Sequence, residues 1–179
     1  MTLITPGFRM WLPFLGRSDS ESVDESGKAR LLLASLIVNG EWQERTGMIA
    51  HPILMDVAQA RAVFVANVAD IFAYDDVHTW PEDRRTPNQW VREAGYGLPD
   101  WYDEGGRVRR NSVESNATGY RDRDGEKVGA AVVKAWLGSE QHSAHLRGEG
   151  AFFGAQVHYG VGVVFVGRYK PAWVFISAH

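Results

Sequence analysis

The chain has 179 residues, nearly half of them apolar and a little under a quarter charged, with a net charge of −3. That length suits one domain with a sizeable core, and the composition excludes a disordered chain. The acidic balance excludes a general nucleic-acid surface, the absence of cysteine excludes disulfides and thiolate chemistry, and no apolar run reaches the roughly 20 residues that span a bilayer.

The first segment carries Phe8, Met10, Trp11, Leu12, Phe14 and Leu15, broken by Pro6, Arg9 and Pro13. Those interruptions, with no small-residue cleavage site after them, argue against a signal peptide. The expected location is cytoplasmic, non-classically exported or within a virion-like assembly. The stretch from Ser18 to Gly27 is polar and acidic and reads as a linker. Residues 1–27 therefore divide off as an arm and linker, and residues 28–179 as the folded domain. So many aromatics on a short arm should dock, on the arm's own domain, on a protein partner or on a second copy through residues 1–17.

From Lys28 the apolar period is helical, with Ala29, Leu32, Leu33, Leu36 and Ile37 on one stripe. His51-Pro52 opens a second helix whose stripe runs Leu54, Val57, Ala58, Val65, Val68, Ala69 and Phe72. A polar, irregular stretch over 74–86 follows. Thr86 then caps a short third helix with Pro87 at its first position, Trp90, Val91 and Ala94 along it, and Gly95 at its end. Arg107, Arg109 and Arg110 form a short basic cluster read as a solvated loop, and residues 111–118 alternate weakly as a strand. A fourth helix carries Val128, Ala131, Val132, Ala135 and Trp136 and breaks near Gly138. The tail alternates from Ala155 to Phe165 with a period of two, turns over Gly167 to Pro171 and returns as AWVFISA, a β-hairpin. Val157, Tyr159, Val161 and Val163 should face the helices. Helices first and strands last predict an α+β fold with a mostly antiparallel sheet.

Six histidines are the natural place to look for chemistry. His51 and His179 read as structural, and His158 as a strand-surface residue. His142 and His145, three apart, share one face of a helical turn and could bind zinc. His78 lies in a polar loop beside Trp80.

Four stretches taken together resemble the CAP superfamily, the fold of cysteine-rich secretory proteins, antigen 5 and pathogenesis-related 1, in its bacterial SCP-like branch. They are HPILMDVAQARA, HTWPEDRRTPNQWVREAGY from His78, NSVESNATG around Glu114, and AWLGSEQHSAHL followed by the Gly-rich strand and aromatic return strand. The resemblance covers roughly residues 29–178 and implies an α-β-α sandwich with a His/Glu cleft. His78 matches the family's first histidine, Glu114 its strand glutamate and His142 its second histidine. The family's Gly-Glu-Asn reads Val113-Glu114-Ser115 here, with Asn116 one place later, and its second glutamate falls on Ser139, beside Glu140. The resemblance thus implies a ligand or metal cleft of His78, Glu114 and His142, with Glu140 and His145 as auxiliaries, and a divalent metal such as zinc held by His78 and His142. The function it implies is a binding or interaction module for a small ligand. The alternatives are a metal-assisted hydrolase acting on peptidoglycan or peptide, and a structural component of a phage particle or secretion assembly.

Overall fold

The computed structural model describes residues 20–67, 85–105, 111–119, 124–166 and 170–179. The aromatic arm, His78 with its loop, Val68, Ala69 and Phe72, and the arginines at 107, 109 and 110 lie outside the described residues.

The C-terminal strands dictate the centre of the fold. β3 (His158–Val166) and β4 (Lys170–Ala178) pair antiparallel, with Val161 opposite Phe175 and Val163 opposite Trp173. This is the expected hairpin. β2 (Glu114–Thr118) adds to the outer side of β4, also antiparallel. β1 (Ile49–Ala50) adds to β3 in parallel, which gives the order β1-β3-β4-β2. A two-residue strand carries no readable period, so β1 and the one parallel pairing went unforeseen.

Helices cover both faces, an α-β-α sandwich of α+β class. On one face, Val161, Val163, Trp173 and Phe175 pack against α1 (Ser20–Val38) and α5 (Gly125–Gly138). On the other, Val174, Ile176 and Ala178 pack against α2 (Pro52–Asn67) and α3 (Pro87–Glu93). α1 starts at Ser20, inside the acidic stretch that reads as a linker. Its buried positions Ala29, Leu33 and Ile37 are part of the expected stripe. In α5, Val128, Val132, Val133 and Trp136 are buried, whereas Ala131 and Ala135 face water. An alanine on the stripe edge is small enough to read either way.

The polar-looking face of β3 is also covered. Gly160 and Gly162 stand where α2 crosses the sheet, and a Cβ on them would lie 2.1 Å from the Leu54 carbonyl oxygen and 2.0 Å from that of Ala58. The alternation of Gly with Val therefore marks a strand buried on both sides, with glycine admitting a helix backbone.

α3 forms as its sequence predicts. Thr86 accepts a hydrogen bond from the Gln89 amide, the Gln89 side chain reaches back to the Thr86 amide, and Gly95 follows with a φ of 93°. α4 (Tyr102–Gly105), α6 (Glu140–Arg147) and α7 (Gly150–Gly154) complete the described elements. No helix among the described residues is long and apolar enough to cross a membrane.

Candidate functional site

Consecutive residues of a strand point to opposite faces, and β2 uses this to serve two polar networks. Asn111 shapes the entry to the strand: its side-chain oxygen accepts from the Glu114 amide at 3.0 Å and its amide donates to the Glu114 carbonyl at 3.0 Å. Glu114 then points toward α2 and Ser115 toward α6.

On the α2 side, Glu114 meets Arg61. The guanidinium donates from Nε to Oε2 at 2.6 Å and from Nη2 to Oε1 at 2.8 Å, and both side chains are fully buried. Asn116 Nδ2 donates to Oε1 at 2.8 Å. The Arg61 guanidinium also lies over the rings of Phe64 and Trp90, at 5.4 and 5.5 Å. A paired, hydrogen-bonded carboxylate is the form in which a buried charge is tolerated. Sequence reading passed over Arg61, although a signal was there. It sits seven after Leu54 and three after Ala58, so a charged residue occupied the buried stripe of α2 and required a buried partner.

His142 lies in the first half of α6, half-buried. Its Nδ1 is 2.9 Å from the Ser139 hydroxyl, and its ring centre is 6.5 Å from that of Trp136. Trp136, on α5, in turn donates its indole N–H to the Asn116 carbonyl at 3.0 Å, which ties α5 to the outer strand β2. Glu140 stands exposed in the first turn of α6. Glu114 and His142 thus lie on opposite faces of the sheet, with Trp136 between His142 and the Asn116 carbonyl.

His145 is buried on the α6 side as a bridge. Nδ1 lies 2.8 Å from the Ser115 hydroxyl and Nε2 lies 2.8 Å from that of Ser177. Ser177 donates its own proton to Gln156 Oε1 at 2.7 Å, so the His145 Nε2 carries the proton in that contact. Gln156 passes the chain on to the Ser112 carbonyl at 2.9 Å. Arg45 closes the same region, donating to the carbonyls of His145, Leu146 and Phe153. Burial pulls its guanidinium down to about 10, against the opposing pull of Glu44. His145 is accounted for as a strut between β2, β4 and α6.

The donor set decides whether a metal fits. Both Glu114 oxygens are engaged by Arg61 and Asn116, so this carboxylate does not fit as a metal ligand. Among the described residues no group of three or more His, Asp or Glu is placed to hold a metal ion. The His142 ring is oriented by Ser139.

A separate cluster gathers at the end of the sheet where β3 begins and β4 ends. The Tyr96 hydroxyl donates to the His179 carbonyl and contacts His158 Nδ1, both at 2.9 Å. The Tyr102 hydroxyl lies 2.7 Å from His179 Nδ1. Burial raises Tyr96 above its ordinary value and pushes Tyr102 up to about 12. His51 and His179, read from the sequence as structural, and His158, read as a strand-surface residue, are brought together here.

No protein-family model and no curated protein matches the chain. Among solved structures it is similar to an outer surface protein from Borrelia burgdorferi. The two are 17% identical, the match covers 91% of this chain and 96% of that one, and the TM-score is 0.49.

Proposed function

We propose that this chain is a CAP-like binding module whose ligand site lies along the β2 edge, between the Glu114–Asn116 segment and His142. The observation that carries the reading is the buried Arg61–Glu114–Asn116 unit. Burying an ion pair is expensive, and replacing it with packed apolar side chains is often neutral or stabilising. Its presence next to the strand that contacts α5 and α6 supports a role in holding a polar recognition edge in place.

The same unit favours binding over hydrolysis. A general base needs a carboxylate within reach of the proton it removes. Glu114 is directed at a guanidinium instead, and Glu140 is exposed at the start of α6. In this reading His142, together with His78, supplies imidazole for a small polar ligand or a divalent metal such as zinc, and Glu114 acts only through Arg61 and Asn116.

Zinc is the probe. Calorimetric titration of the full chain at neutral pH should give a saturable heat that is reduced in His142→Ala and in His78→Ala. It should weaken at mildly acidic pH, because protonated imidazole cannot ligate. A heat unchanged in both variants, or no heat at all, would reject the cleft as a metal site. A zinc heat that survives Glu114→Gln would support the indirect role given to Glu114.

A further inference from the structure

We infer that His51 and His158 form a second site, at the opposite edge of the sheet, for a borderline divalent metal ion such as zinc. β1 and β3 pair in parallel with Ile49 opposite His158, and the His51 amide donates to the Tyr159 carbonyl at 2.9 Å. Two histidines on separate elements are thereby held side by side, with ring centres 5.2 Å apart and planes inclined by 39°. Two imidazoles on one tetrahedral ion place their ring centres roughly 5 Å apart, given metal–nitrogen bonds of about 2.1 Å.

Hydrogen bonding sets the second histidine in the ligating tautomer. A carbonyl can only accept, so the Tyr96 proton goes to His179. The Tyr96 oxygen must then accept from His158 Nδ1–H, which leaves the His158 Nε2 lone pair bare. Among the described residues nothing donates to that Nε2. A ring N–H anchored to a protein oxygen with the other nitrogen open is how metal-ligating histidines are held.

His51 supplies the independent observation. Its Nδ1 is buried and has no hydrogen-bond partner among the described residues. An unsatisfied buried ring nitrogen costs about 1–3 kcal/mol and calls for an unseen partner, an ion or a water. Tyr96 packs edge-on to His51 with ring centres 5.0 Å apart, so one aromatic residue orients both imidazoles. His51 also precedes Pro52 at the start of α2, where the helix dipole opposes a cation. With two protein ligands and that opposition, the site should bind moderately and fill its other positions with water.

The test uses the full chain and residue-resolved signals, so that zinc bound at His142 is not mistaken for zinc bound here. Before metal, long-range proton–nitrogen correlation should show His158 as the Nδ1–H tautomer. Added zinc should shift the ring nitrogens of His51 and His158 together. Each of His51→Ala and His158→Ala should weaken that response at least tenfold. Tyr96→Phe, which keeps the ring but not the acceptor, should weaken it about tenfold. Finding His158 as the Nε2–H tautomer overturns the inference. So does a zinc response at His158 that is the same in His51→Ala as in the parent, or no zinc response at either ring.

Discussion

Replacing Gly162 with alanine tests how α2 is seated on the sheet. The added Cβ would lie 2.0 Å from the Ala58 carbonyl oxygen, and a backbone oxygen cannot swing aside as a side chain can. Restoring an ordinary contact of about 3.4 Å requires the helix to move away by about 1.4 Å. α2 is a rigid 16-residue rod, so the lift is shared along it and reaches Leu54, Val57, Ala58, Ala62 and Val65, all buried beneath it. A gap of even 0.5–1 Å forfeits a quarter to a half of each dispersion contact. Arg61 rides on the same helix, so its 2.6 Å bond to Glu114 is stretched as well. The expected loss is about 3–5 kcal/mol, above the usual range for overpacking because the obstruction is backbone. Urea melts followed by tryptophan fluorescence measure it, with Gly97→Ala as the control. Gly97 has open space and no positive φ, so its substitution should change stability by less than about 0.5 kcal/mol. If Gly162→Ala unfolds within 1 kcal/mol of Gly97→Ala at an unchanged denaturant slope, α2 does not sit on a glycine track and the packing argument fails.

Glu114→Ala strands the Arg61 guanidinium in the core and should cost about 3–5 kcal/mol in urea melts, while Arg61→Met combined with Glu114→Leu recovers most of it. A double variant no more stable than Glu114→Ala would show that more than an ion pair depends on these positions. Val161→Asp buries an unpaired charge between β3 and the α1–α5 layer and should cost more than about 4 kcal/mol; a melt matching the parent would reverse the assigned faces. Tyr102 keeps its proton to about 12 when folded but loses it near 10 when unfolded, so the unfolded state holds fewer protons in between and stability falls as pH rises across that window. The stability difference between the parent and Tyr102→Phe should therefore shrink from pH 10 to pH 12, and a constant difference would contradict a buried phenol.

The fold was legible wherever one residue class repeated at one period. Leu33 and Ile37 marked α1, Thr86-Pro87 marked the start of α3, and Val161, Val163, Trp173 and Phe175 marked the hairpin. What could not be read were features set by contacts distant in sequence. β1 exists because His51 and Ile49 bond β3, and α2 lies on Gly160 and Gly162 because those residues lack a side chain. The candidate site shows the same division. Glu114 and His142 were singled out by motif order, but the partner of Glu114 is Arg61, 53 residues away. His51 and His158 meet only through the parallel pairing, which no local pattern announces.

The strand order has a consequence for how copies of this chain coexist. The borders of the sheet are its shortest strands, two residues of β1 and five of β2, while the two nine-residue strands are enclosed between them. Among the described residues, a neighbouring molecule seeking to extend the sheet finds almost no ladder of unpaired amides to continue, which is how native proteins suppress edge-to-edge association. The adhesive segments, VGVVFV and AWVFIS, are the apolar, β-branched and aromatic kind that stack into fibrils, and they sit in the middle. Self-association through them requires the sheet to come apart first. For association through these two segments, the lifetime of the native state, rather than its surface, then sets the rate on heating.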